Sequence, residues 1–330
     1  MSLIVNAVIS QKHAEHPAIV IGTDSRETNL RDKTFRDDIV KVCQVSEHTA
    51  ASWVGNPLWY TNNHRGKIRI SNILEEFRET SLDHTSLYEL VSKLAGFLKS
   101  SISLEKEYRN VERRTKNQSR NEGLEARVLY PWDDGKTPVI YYYKRKGEKQ
   151  VLVSWGEAKP PYLTILLAGF DNPNSDPKPR FFEISIPEMT FKEIKLPGSF
   201  KNTASKFIAK GYTDVFKWLE QSSRKNIERF LLKLSRKRNF KSRAEKIEEL
   251  INGIKLSKSA HEQSGQNVTS VVAAIIELTT LLEGGNILDH ILKSKVLKKT
   301  EPSGVGGPIN LATITPTEGF RQLPKRIIEH

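Results

Sequence analysis

Apolar residues recur along this chain at two spacings, and the first quarter follows the strand spacing. Leu3 to Ile9 is rich in β-branched residues and predicts a strand. Ala18 to Gly22 predicts a second, ending at Thr23-Asp24, and the two are expected to pair as a hairpin across the polar stretch Ser10 to Pro17. Ser25 to Asp38 reads as a polar loop. Ile39 to Val45 alternates as a strand, and Thr49 to Val54 makes another that stops at Gly55.

The period then lengthens. Ile73 to Glu79 predicts a short helix. In Ser86 to Ser100, Leu87, Leu90, Val91, Leu94, Phe97 and Leu98 fall on one helical face. Lys106 to Gly123 is charged and reads as an extended helix or a mobile insertion. Val139 to Tyr143 and Val151 to Trp155 predict hairpin strands. Leu163 to Gly169 is almost continuously apolar, as a strand buried on both faces would be. Phe181 to Ile186 and Phe191 to Ile194 alternate as strands. Helices are expected at Thr203 to Lys210, Val215 to Gln221, Arg224 to Leu234, Ala244 to Ile254 and Val268 to Leu282, with Asp289 to Leu297 a further candidate. Gly/Pro-rich Pro302 to Pro308 leads to a closing strand, Ile309 to Ile314. This is not a βαβ alternation. It points to antiparallel sheets with helices outside, an α+β layered fold.

Composition narrows the class. The chain has 330 residues, 37% hydrophobic and 28% charged, as a soluble globular protein does. Its single cysteine, Cys43, excludes an internal disulfide framework and suits a reducing cytoplasm. His13, His16, His48 and His64 show no metal-ligand spacing, and no metal or cofactor is expected. The N-terminus lacks the basic region of a signal peptide. Val268 to Leu282 is too short for a membrane span and contains Glu277, so it reads as a buried helix. Net charge is +13, which admits an acidic partner such as nucleic acid. From Ser222 to Lys246, ten Lys/Arg face two acids, and Lys106 to Arg127 is a second basic stretch. Rings are sparse there, so solvated helix faces and loops account for most of that charge.

The start of the chain holds candidate chemistry. Removal of Met1 would make Ser2 the first residue, with a nucleophile (Oγ) and a base (the α-amine) on one residue. An α-amine titrates at about 7.7–8.0, low enough to accept the hydroxyl proton near neutrality. The plain alternative is that Ser follows Met because it is small.

Six stretches, in order, carry a resemblance. They are the Ser2 strand; Ile19-Val20-Ile21-Gly22-Thr23-Asp24-Ser25-Arg26-Glu27-Thr28; Asp38 to Val42; Ser52-Trp53-Val54-Gly55; Leu166 to Asp171; and Val305-Gly306-Gly307-Pro308-Ile309-Asn310-Leu311. Together they resemble the proteasome β-subunit branch of the N-terminal nucleophile hydrolases. The resemblance covers roughly 2–101, 162–221 and 266–315, and implies one domain spanning 1–330. The fold implied is a four-layer αββα sandwich, with insertions near 104–160 and 222–265.

The resemblance also implies a site. Ser2 would attack a peptide or amide carbonyl, Lys41 would lower the amine pKa, and Asp24 would hold Lys41. The Gly55 N–H would face the oxyanion. Glu301 and Ser303 are the nearest candidates for the family's second acid and serine, and Ser199 or Thr203 for a helper hydroxyl. The specificity pocket would fall near the polar stretch Val45 to Thr49. Members assemble through their helices, so a homo-oligomer is expected. Ser in place of Thr lacks the methyl that restricts χ1. A degenerate paralogue acting as a binding or assembly subunit, and a basic nucleic-acid-associated protein, are the competing readings.

Overall fold

The structure, a computed structural model, describes residues 3–9, 17–29, 34–80, 86–129, 138–146, 149–157, 161–195, 205–211, 224–236, 241–259, 265–284 and 305–327. The expected helices at 215–221 and 289–297 lie outside these residues.

The strands in chain order are β1 Leu3–Ile9, β2 Ala18–Asp24, β3 Glu27–Asn29, β4 Thr34–Arg36, β5 Val42–Ser46, β6 Thr49–Gly55, β7 Leu58–Tyr60 and β8 Lys67–Arg69. They continue with β9 Glu125–Leu129, β10 Val139–Lys146, β11 Lys149–Glu157, β12 Leu163–Asp171, β13 Lys178–Ile186, β14 Thr190–Glu193 and β15 Ser205–Gly211. β16 Ile309–Thr315 and β17 Gly319–Gln322 close the series. The described helices are α1 Ile70–Thr80, α2 Leu87–Ser101, α3 Leu104–Asn121, α4 Arg224–Ser235, α5 Lys241–Ser259 and α6 Gly265–Gly284.

Two five-stranded antiparallel sheets dominate, ordered β15-β1-β2-β16-β17 and β14-β13-β12-β6-β5. Ile4, Val8, Ile19 and Ile21 from the first share one core with Ala50, Val54, Leu166 and Phe181 from the second. The opposite face of the first sheet, including Val5 and Val20, packs on α4, α5 and α6 through Phe230, Ile251, Val272 and Ile276. The opposite face of the second, including Trp53, Ile165 and Phe182, packs on α1 and α2 through Phe77, Leu90 and Leu94. Both faces of the central strands are therefore covered. That is why β1 is buried along its whole length and reads as an apolar run rather than an alternation.

Three expectations change. Residues 205–210, expected helical, form β15, which pairs with β1 from Leu3↔Gly211 to Ile9↔Ser205. Ile208 faces the core between the sheets and Ala209 faces the helices, so long-range pairing overrides a weak local preference. The polar loop 25–38 contains the small hairpin β3–β4. Residues 39–41 lie before β5, because the Ile39 N–H bonds the Ser25 carbonyl instead of joining the ladder.

The described residues within 104–157 form α3 and a separate three-stranded sheet, β11-β10-β9. Glu107 of α3 is fully buried. It accepts bonds from the Tyr60 N–H at 2.9 Å and from Lys67 Nζ at 2.8 and 2.7 Å, which ties α3 to β7 and β8. Among the described residues no helix is long and apolar enough to cross a membrane.

Candidate functional site

Asp24 ends β2, where the ladder gives way to a turn, and its side chain is fully buried. A buried carboxylate needs donors, and three converge on it. Oδ1 accepts the Leu3 N–H at 2.8 Å. Oδ2 accepts Lys41 Nζ at 2.9 Å and the Arg26 N–H at 3.2 Å. Lys41, only 4% exposed, also donates to the Arg26 carbonyl. Burial pushes the Asp24 carboxyl above its ordinary value, and the Lys41 ammonium and the Leu3 N–H act in the opposite direction.

The surrounding loops are locked to one another. The Ser25 N–H donates to the Gly306 carbonyl at 3.2 Å, and Ser25 Oγ donates to the Asp37 carbonyl at 2.6 Å. Arg26 and Asp37 form a two-pronged ion pair, Nε to Oδ1 and Nη2 to Oδ2, both 2.8 Å. Asn310 Nδ2 donates to the Ile39 carbonyl at 3.0 Å. The glycine pair before β16 permits this approach. A Cβ on Gly306 would stand 2.5 Å from the Arg26 guanidinium carbon. One on Gly307, whose φ is +69°, would stand 2.5 Å from Ser25 Oγ.

Gly55 ends β6 at φ +111°, opposite Leu163. A Cβ there would meet the Tyr162 carbonyl oxygen at 2.4 Å. Two residues earlier, the Trp53 N–H donates to the Lys41 carbonyl at 3.3 Å, which links the end of β6 to the approach to β5.

A cavity of about 210 Å³ lies against residues 38–40, 42 and 43, and Lys41 is not part of its lining. Val40, Val42, Cys43, Trp53 and Ile70 form much of its wall, with Asp38 and Arg69 contributing charge. Arg69 also pairs with Glu27 at 2.8 Å. Val45, at the start of the expected specificity stretch 45–49, is buried in the core against α1 and α2. Burial pushes the Cys43 thiol up to about 12.

The structure thus brings Asp24 and Lys41 together with Leu3, and places Gly55 on the strand whose Trp53 bonds Lys41. Ser2, Glu301, Ser303, Ser199 and Thr203 lie outside the described residues. The Arg26–Asp37 pair and the Asn310 contact are not evident from sequence. The Asp-x-Arg spacing from Asp24 to Arg26 is the one local sign of the first. Among the described residues no group of three or more His, Cys, Asp or Glu could hold a metal ion.

No family model and no curated protein matches the sequence. Among solved structures, the chain is similar to the Anbu (Gly-1) mutant from Hyphomicrobium sp. strain MC1. Identity is 12%, over 100% of this chain and 87% of that one, with a TM-score of 0.42. A likeness of that degree says nothing of the site.

Proposed function

We propose that this chain is a divergent proteasome-type N-terminal nucleophile hydrolase that cleaves peptide or amide bonds with Ser2. The two sheets and their helices are the αββα layers of that fold, with 104–160 and 222–265 as insertions into one domain. The observation that carries the reading is the Asp24 carboxylate. It holds the Leu3 N–H, in the peptide that joins Leu3 to Ser2, and also the Lys41 ammonium.

The chemistry follows from those groups. With its α-amine freed by removal of Met1, Ser2 Oγ attacks the substrate carbonyl carbon and the amine takes the hydroxyl proton. The Lys41 cation favours the neutral amine and stabilises developing negative charge. Asp24 positions Lys41, and the Gly55 N–H receives the oxyanion. The amine returns its proton to the leaving nitrogen as the C–N bond breaks. Water then cleaves the Ser2 ester. Glu301 and Ser303 supply the accessory acid and hydroxyl. The mostly apolar cavity walled by Val40, Val42 and Trp53 takes an apolar or aromatic side chain of the substrate.

The test combines N-terminal sequencing with an electrophile that requires both hydroxyl and amine. The reading expects a Ser2 N-terminus and one covalent adduct there. Ser2→Ala and Lys41→Ala should each abolish the adduct. Active protein that retains Met1, or hydrolysis undiminished in Ser2→Ala, would sink it.

A further inference from the structure

We propose that β11 pairs with β11 of a second copy of this chain about a two-fold axis, joining two three-stranded sheets into one. The proposal is independent of the hydrolase reading. β11 is the edge of the sheet β11-β10-β9, and no described strand pairs with its outer side. Its side chains stand in solvent: Val151 is 42% exposed, Leu152 48%, Val153 55% and Trp155 66%. Soluble proteins protect such edges with charges, proline or bulges. Between Lys149 and Glu157 this strand has no charge and no proline, and only the bulge at Val153 interrupts it.

Its irregularity fixes how two copies can pair. Tyr142 pairs with Ser154 and Tyr143 with Leu152, so Val153 is an extra residue on β11. Along a strand, alternate residues turn their N–H and C=O to one neighbour and the rest to the other. The extra residue reverses that alternation. In 154–157 the outward-facing groups belong to one parity of residue number, and in 149–152 to the other. A two-fold antiparallel pairing sets the first half of one β11 against the second half of the other. Its outward-facing groups meet only where an odd-numbered residue stands opposite an even-numbered one.

Side chains choose among such registers. α3 covers the face carrying Ala126, Ile140 and Tyr142, through Val111. On the uncovered face, β11 presents Gln150, Leu152, Trp155 and Glu157, the partners of Arg145, Tyr143, Tyr141 and Val139. One register sets Leu152 opposite Trp155 of the second copy and Gln150 opposite its Glu157. It matches apolar with aromatic across the strands, while the Gln150 amide stays bonded to Arg127 and Glu125 of its own sheet. The neighbouring register would set Gln150 against Trp155. The chosen one also lays Lys144, Arg145, Lys146 and Lys149, all exposed, at the end of the contact where Glu157 of the other copy stands. This charge complementarity favours a second copy as occupant over a nucleic acid, which would meet Glu157 and a largely aliphatic strand.

Sedimentation velocity on the full chain tests the pairing. Wild type should be a dimer at micromolar concentration. Leu152→Lys and Trp155→Glu should each weaken it about tenfold or more, since each change acts twice about the axis. The double variant L152K/W155E sets opposite charges across the same contact and should restore dimer. Circular dichroism melts should show all three folded, as these positions are exposed. A wild-type monomer at tens of micromolar, including one that binds an oligonucleotide or peptide instead, overturns the proposal. So does a dimer indifferent to both single variants, or a double variant that is not restored.

Discussion

The Lys41 ammonium lies 2.9 Å from Oδ2 of Asp24, and both side chains are almost completely buried. Removing one member of a buried pair typically costs about 3–5 kcal/mol, because the other charge is left without compensation. Here the carboxylate also holds Leu3 and Arg26, so its loss loosens the start of β1 as well.

Lys41→Met should therefore destabilise the fold by about 3–5 kcal/mol in urea unfolding. Asp24→Asn should cost a similar amount. The double variant should cost clearly less than the sum, because it leaves no orphaned charge. Additive losses would show that the two residues act independently.

Gly55→Ala addresses the end of β6. At φ +111° a Cβ adds about 1–3 kcal/mol of backbone strain. The Cβ would also stand 2.4 Å from the Tyr162 carbonyl oxygen, a backbone atom that cannot swing away. Thermal unfolding should show a clear drop in midpoint. Gly66→Ala is the control: nothing lies within 4 Å of its Cβ and it should be nearly silent.

How much of this is legible in the sequence depends on the range of the interaction. β1, β2, β12 and α6 are legible because an element covered on both sides leaves a long apolar run. Asp24 and Lys41 are legible as positions through the stretches that surround them. β15 is not: Ser205 to Gly211 has no strong local preference, and only its register with β1 makes it a strand. The same holds for Gly306 and Gly307. Their need for glycine comes from Arg26, Ser25 and Asp37, far away in sequence.

Cys43 should be a slow thiol. Its ordinary value is 9.0 and burial raises it to about 12, so the reactive thiolate is scarce in the folded protein at neutral pH. A disulfide reagent should label it far faster in denaturant. The linkage sign follows. The thiol's contribution to stability is fully present below about pH 9 and is lost as pH rises towards about 12. Cys43→Ala should show a shallower alkaline loss than wild type. Equal slopes would mean that other groups govern that limb.

Thr23 and Asn310 stand opposite each other on β2 and β16. Thr23 Oγ1 and Asn310 Oδ1 are buried, and neither has a hydrogen-bond partner among the described residues. A buried polar group without a partner costs about 1–3 kcal/mol, whereas an apolar group of the same shape does not carry that cost. Thr23→Val keeps the branched shape and the strand preference. It should leave stability unchanged or raise it by up to about 1 kcal/mol in urea unfolding. A loss larger than about 1 kcal/mol would show instead that the hydroxyl is bound to an ordered water between the sheets.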